Sequence, residues 1–200
     1  ISEAQVFVVQ RQPEQLQQSG KLLRCDARAR FAQQLLGNAH LLQQGCRRIA
    51  FLGHASSHYP EFQERYRGHV AALQEHGLAA EPALQHDAIT TEASGQEACQ
   101  LLLARGEPID AICAASDLIA IGAMRALAEA GLTVPGDVAI VGFDDIPAAS
   151  LTSPPLTTIM QNMKGAGELL VETVLAQVED RPLPPAVLPA RLVIRKSSGG

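Results

Sequence analysis

Asp144 is the residue best placed to do chemistry in this chain. It follows the apolar run VAIVGF at 138–143, so it stands at the carboxyl end of a buried strand. Ligands of open α/β sheets gather at that edge. A carboxylate there accepts hydrogen bonds from hydroxyl or N–H groups; the plainer reading is an Asx-turn residue in a loop. The pairs Asp144–Asp145 and Ser57–His58 are adjacent in sequence, and adjacency alone supplies no catalytic geometry. No nucleophile elbow or glycine-rich phosphate loop occurs. Cys25, Cys46, Cys99 and Cys113 form no CxxC pair, and the six histidines form no HExxH pattern. The cysteines read as reduced thiols, and no metal or cofactor is expected. The residues support recognition by hydrogen bonding; an enzyme is not expected.

These groups need a scaffold, and the hydropathy pattern describes one. Apolar runs at 4–10, 47–53, 110–115 and 137–143 read as buried strands, with a weak one around ALQHDAI. Amphipathic stretches at 27–45, 60–77, 91–106, 116–131 and 161–179 read as helices. Gly45 and Gly77 stop two of them, and Thr91 caps a third. Strands alternating with helices predict a parallel sheet with right-handed crossovers. The proline-bearing stretches 144–160 and 180–189 read as loops between subdomains, and 186–197 as one or two closing strands. The helix at 116–131 carries only Asp117, Arg125 and Glu129 as charges, on one narrow stripe. Two apolar sides call for two partners: the sheet, and either a second copy or another part of the same chain.

Composition narrows the classes. The chain has 200 residues, 46 % hydrophobic and 18 % charged, with a net charge of −5. An acidic balance argues against this segment itself gripping phosphates. No apolar run reaches the roughly 18 residues of a membrane span. The opening ISEAQVFVVQRQ lacks the basic and apolar regions of a signal peptide. A cytoplasmic location is expected, without membrane partners.

The stretch SDLIAIGAMRALAEAGLTVPGDVAIVGFDDIPAASLTSPPLTT at 116–158 closely resembles the effector-binding core of the lactose-repressor/galactose-repressor (LacI/GalR) family of bacterial transcription regulators. QQGCRRIAFLG, ERYRGHVAALQEHGL, the PIDAI segment leading to Ser116–Asp117, and PPLTTIMQNMKGAGELLVETVL extend the resemblance over nearly the whole chain. It implies a type I periplasmic-binding-protein-like α/β fold: two subdomains joined by three crossovers, with a small effector in the cleft. On that pattern, 1–11 is the last strand of the N-terminal subdomain and first crossover. Residues 12–158 form the C-terminal effector-binding subdomain, 159–180 the return helix and 181–200 the final crossover and closing strand. The helix-turn-helix headpiece is absent from this stretch.

The resemblance also implies site residues. Arg65, three residues before Gly68, matches a ligand-binding arginine whose donor fork suits vicinal hydroxyls or a carboxylate; pairing with Glu61 or Glu64 is the alternative. Asp144 matches the ligand carboxylate. Ser116 stands where many members place Asn, and is equally suited to capping the following helix. Gln161 and Met163 match cleft-facing positions at the third crossover. Thr90 stands where an aromatic residue often stacks on the ligand. The loop 54–59, with its two histidines and Tyr59, fits the cleft mouth. Leu118, Ile121, Arg125, Ala148 and Leu151 are expected at a homodimer interface. The function implied is ligand-responsive control of operator DNA by a separate headpiece, with a sugar or related metabolite as effector. A periplasmic binding protein of a transport or chemotaxis system is the alternative.

Overall fold

The computed structural model describes residues 27–55, 59–182 and 188–199. The expected strand at 4–10 and the Ser57–His58 pair lie outside the described residues. The elements run α1 (Ala27–Gln43), β1 (Ile49–Leu52), α2 (Pro60–Glu75), β2 (Gln85–His86), α3 (Glu92–Ala104), β3 (Ala111–Ala114), α4 (Asp117–Glu129), β4 (Ala139–Asp144), β5 (Thr157–Gln161), α5 (Met163–Val178) and β6 (Ala190–Val193). Their order in the sheet is β2-β1-β3-β4-β5-β6. The first five strands are parallel, and β6 runs antiparallel to β5 with Ile159 opposite Leu192. Two expectations change here. The stretch 144–160 is not one loop, because its last residues form β5. The sheet is mixed rather than wholly parallel.

Alternation along β3 shows how the core divides. Ile112 and Ala114 belong to the cluster that α3 and α4 share, with Cys99, Leu102, Ile119 and Leu127. Ala111 and Cys113 belong to the cluster beneath α1 and α2, with Leu41, Leu42 and Leu73. Strands covered on both faces read as continuous apolar runs, which is why β1, β3 and β4 are legible. Both core thiols in these layers, Cys99 and Cys113, are pushed up to about 12 by burial, so neither is a reactive thiolate.

The helix ends follow their sequence signals. Thr91 caps α3 by accepting from the Ser94 N–H at 3.1 Å. Asn162 caps α5 by accepting from Gly165 at 2.9 Å. The second partner of α4 turns out to be largely α3. Gly95 and Gly122 let the two backbones touch: a Cβ on Gly122 would lie 2.0 Å from the Glu92 carbonyl oxygen. The charged stripe of α4 is also spoken for. Arg125 meets Glu92 at 2.9 Å, and Glu129 accepts from Gln96 and Gln100 at 2.8 and 3.0 Å.

Between α1, α2 and the sheet lies a buried polar chain. Gln34 donates to Cys113 Sγ at 2.7 Å, Asn38 donates to the Gln34 carbonyl at 3.0 Å, and Asn38 Oδ1 pairs with His69 Nδ1 at 2.8 Å. An amide oxygen only accepts, so His69 carries its proton on Nδ1. Burial lowers the His69 pKa from 6.5 to about 3. The unfolded imidazole therefore takes up a proton in a pH window where the folded one does not. Stability falls as pH drops through that window, by about 1.4 kcal/mol per pH unit at its steepest. His69→Gln removes this proton uptake. Urea unfolding at about pH 7 and about pH 5 is expected to show a smaller acid loss in the variant than in the wild type; equal losses would contradict it.

Candidate functional site

The strand order places a topological switch between β1 and β3, because connections from this pair run outward in opposite directions. In such sheets the crevice at the carboxyl ends of the strands holds the ligand. β3 is followed by Ala115–Ser116, β4 ends on Asp144 and β5 ends on Gln161. Arg65 comes from α2, the helix that leaves β1, and crosses the switch: its Nη1 donates to the Ala115 carbonyl oxygen. Its guanidinium lies over the Phe143 ring, 3.9 Å from the centroid, a stacking geometry that a planar cation favours. Glu64 instead pairs with Arg67 at 2.6 Å, which leaves Arg65 turned toward the sheet edge.

Arg65, Asp144 and Gln161 meet. Gln161 Nε2 donates to Asp144 Oδ1 at 2.7 Å. Arg65 Nη2 lies 3.9 Å from the same oxygen, beyond the roughly 3.2 Å limit of a good hydrogen bond. The Asp144 side chain keeps 31 % exposure against 11 % for Arg65, so the carboxylate faces outward and the cation backs it. Burial raises the Asp144 pKa, while Arg65 and the Gln161 amide act to lower it. The arrangement offers a carboxylate acceptor held in place by a cation, suited to a ligand hydroxyl or N–H.

The other expected residues divide. Ser116 is buried and caps α4, accepting from the Ile119 N–H at 3.3 Å; it sits beside the carbonyl that Arg65 engages. Thr90 is exposed, one residue before the α3 cap. Met163 is 66 % exposed and lines a shallow groove along α5 with Gly167, Val171 and Leu175. In the loop after β1, His54 packs against Tyr59 with tilted rings whose centroids are 4.5 Å apart, and lies 3.5 Å from Asp87. Leu118 and Ile121 are half-buried, Arg125 and Ala148 exposed, and Leu151 is 83 % exposed.

Sequence reasoning left one functional neighbour unplaced. Asp117 is fully buried, and its charge at a helix start reads as a solvated first-turn acid. The nearby Gly142 is the signal that could have found it: a Cβ there would fall 2.3 Å from Asp117 Oδ1.

A doubly wound sheet with an Arg–Asp–Gln cluster at its carboxyl edge defines an α/β domain of the periplasmic-binding-protein type. Comparison with known proteins agrees. The periplasmic binding protein-like domain family matches residues 38–198. The HTH-type transcriptional regulator GalR of Escherichia coli K12 is 35 % identical over 150 residues, which cover 74 % of this chain and 43 % of GalR. A sugar-binding LacI-family transcriptional regulator from Escherichia coli, solved in complex with phosphate, superimposes with a TM-score of 0.79 at 33 % identity, covering 84 % of this chain and 61 % of that one. The Lac repressor dimer bound to operator and an anti-inducer gives a TM-score of 0.78 at 32 % identity, covering 84 % and 51 %. The chain belongs to the LacI/GalR family of transcriptional regulators. It spans about half the length of the curated relatives it matches, 43 % and 48 % for the first two. Among the described residues, no helix is long and apolar enough to cross a membrane.

Proposed function

We propose that this chain is the effector-binding and dimerisation region of a bacterial transcriptional regulator. A sugar or related metabolite occupies the cleft at the carboxyl edge of the sheet and controls operator binding by a separate helix-turn-helix domain, in the cytoplasm. The observation that carries this reading is the convergence of Arg65, which crosses the switch point, with Asp144 and Gln161 at the carboxyl ends of β4 and β5. The names of the relatives support it: one is a sugar-binding regulator and another a repressor dimer on its operator. Effector and operator affinities are then coupled reciprocally, since each ligand favours one subdomain arrangement. Fluorescence anisotropy of the full-length protein on its operator tests this. A metabolite that changes operator affinity, and whose own affinity changes equally when operator is present, is the expected result. A metabolite that binds without any effect on operator would sink it.

The gap between Arg65 and Asp144 bears on ligand chemistry. Asp144 demands a donor from the ligand, which sugar hydroxyls and purine N–H groups both supply. Thr90 offers no aromatic face, and the Phe143 face is already taken by Arg65. Recognition therefore rests on hydrogen bonds more than on stacking.

Dimerisation uses α4 and the adjoining 147–152 turn. With α3 covering one side of α4, the remaining apolar surface is Leu118, Ile121, Ala148 and the protruding Leu151, flanked by Arg125. An exposed patch of this kind marks an interaction surface. Leu118→Glu combined with Leu151→Glu is expected to shift the sedimentation-equilibrium profile of the full-length protein from dimer to monomer. A wild type that is monomeric at high concentration would contradict the assignment.

A further inference from the structure

Asp144, the last residue of β4, and Asp145 after it have positive φ, 117° and 55°. Non-glycine residues hold such conformations only where their surroundings impose them. What imposes this one lies beneath the corner rather than in the cleft. Asp117 Oδ2 accepts from the Ile146 N–H at 2.9 Å. Asp117 Oδ1 accepts from the Thr158 hydroxyl at 2.5 Å. That hydroxyl in turn accepts from the Asp145 N–H at 3.3 Å. The N–H groups of residues 145 and 146 thus end on one buried carboxylate, the second directly and the first through Thr158. Arg195 braces the corner from the side, donating to Asp145 Oδ1 at 2.6 Å and to the Leu156 carbonyl at 2.7 Å. Gly142 leaves the space that Asp117 Oδ1 occupies.

Asp117 is also the first residue of α4, and the preceding Ala115 carbonyl receives the Arg65 guanidinium. The start of α4 is therefore bonded to the element behind each of the two ligand groups. We propose that Asp117 and Thr158 are positioning residues that hold the Asp144–Asp145 corner in its ligand-presenting conformation and tie it to the first turn of α4. This rests on the reading of Asp144 as the effector carboxylate. The direction of the relay sets its chemical requirements. One atom of position 158 accepts from Asp145 while donating to Asp117, which a hydroxyl does and the methyl of valine does not. Position 117 accepts at both of its terminal atoms, Oδ2 from Ile146 and Oδ1 from Thr158, which a carboxylate does and an amide, whose nitrogen only donates, does not. Burying that carboxylate is tolerable because both its oxygens are bonded.

The test is amide hydrogen exchange of the full-length protein with no effector added, which separates it from any test of effector binding. Thr158→Val and Asp117→Asn are expected to speed exchange of the Asp145 and Ile146 amides by about tenfold and to speed exchange in the first turn of α4. The β1 and β3 amides should stay as in the wild type. Thr158→Ser, which keeps the hydroxyl, is expected to retain wild-type exchange at the corner. A merely structural role would move exchange across the whole sheet instead. Wild-type rates at 145 and 146 in Thr158→Val, or faster rates there in Thr158→Ser as well, would overturn the proposal. Should Asp117→Asn fail to fold, the Thr158 pair decides alone.

Discussion

Arg65→Ala and Asp144→Ala are each expected to weaken effector binding by about tenfold to more than a hundredfold in the full-length protein, with operator binding in the absence of effector preserved. The magnitude follows from the bond type. A hydrogen bond to a charged group contributes about 1.5–3 kcal/mol, and 1.4 kcal/mol is a factor of ten in Kd. Asp144 loses the acceptor itself. Arg65 acts twice: it backs the carboxylate at 3.9 Å and anchors the crossing from α2 to the Ala115 carbonyl. Its removal also leaves that buried carbonyl without the guanidinium donor, so Arg65→Ala should cost some stability as well. Arg65→Lys keeps the charge but not the planar stack on Phe143, and is expected to fall between wild type and Arg65→Ala. Calorimetric titration with whichever metabolite shifts operator affinity checks all three. Wild-type affinity in both alanine variants would remove these residues from the site.

Gly122→Ala is expected to destabilise the fold by about 3 kcal/mol, the upper end of overpacking costs. Alanine is the better helix former by roughly 1 kcal/mol, so propensity alone predicts the opposite sign. Packing decides: the added Cβ would lie 2.0 Å from the Glu92 carbonyl oxygen and 2.6 Å from the Gln96 nitrogen. Both obstacles are backbone, so α3 and α4 must separate. Gly95→Ala meets the Ile119 carbonyl at 2.3 Å from the opposite side and should behave alike. Gly167 lies in helix α5 with nothing within 4 Å of its Cβ position, so Gly167→Ala should be neutral or mildly stabilising. Denaturant unfolding of the three variants gives the comparison. Equal effects at Gly122 and Gly167 would show that the α3–α4 contact is looser than described.

Much of this was legible in the sequence. β1, β3 and β4 are short apolar runs between turn signals, and their burial on both faces makes them stand out. Asp144 was locatable because VAIVGF ends immediately before it. Arg65 was locatable only through the resemblance, since no spacing rule joins α2 to the end of β4. β5 escaped notice because Pro154–Pro155 precedes it and its buried threonines look polar. Thr157 is instead satisfied by Arg195 and the C-terminal turn: its hydroxyl donates to the Arg195 carbonyl at 3.0 Å, and its N–H donates to Ser197 Oγ at 2.8 Å. Those partners lie about 40 residues away and cannot be read locally. The Asp117 carboxylate was opaque for a similar reason, because a helix-start acid is usually solvated and its partners here come from two later strand ends. The second side of α4 pointed to a partner but not to which one, and the α3 glycine contact that answers it carries no periodic signal.

Asp144 is expected to receive a donor from the effector in the place now held by Gln161. The most direct test is a crystal structure of the full-length protein with a metabolite that shifts operator affinity. The expected result is a ligand hydroxyl or N–H within hydrogen-bond distance of Asp144, with Arg65 behind it and the 2.7 Å Gln161–Asp144 bond broken or shared. A ligand bound elsewhere, with that bond and the Arg65–Asp144 spacing unchanged, would contradict it.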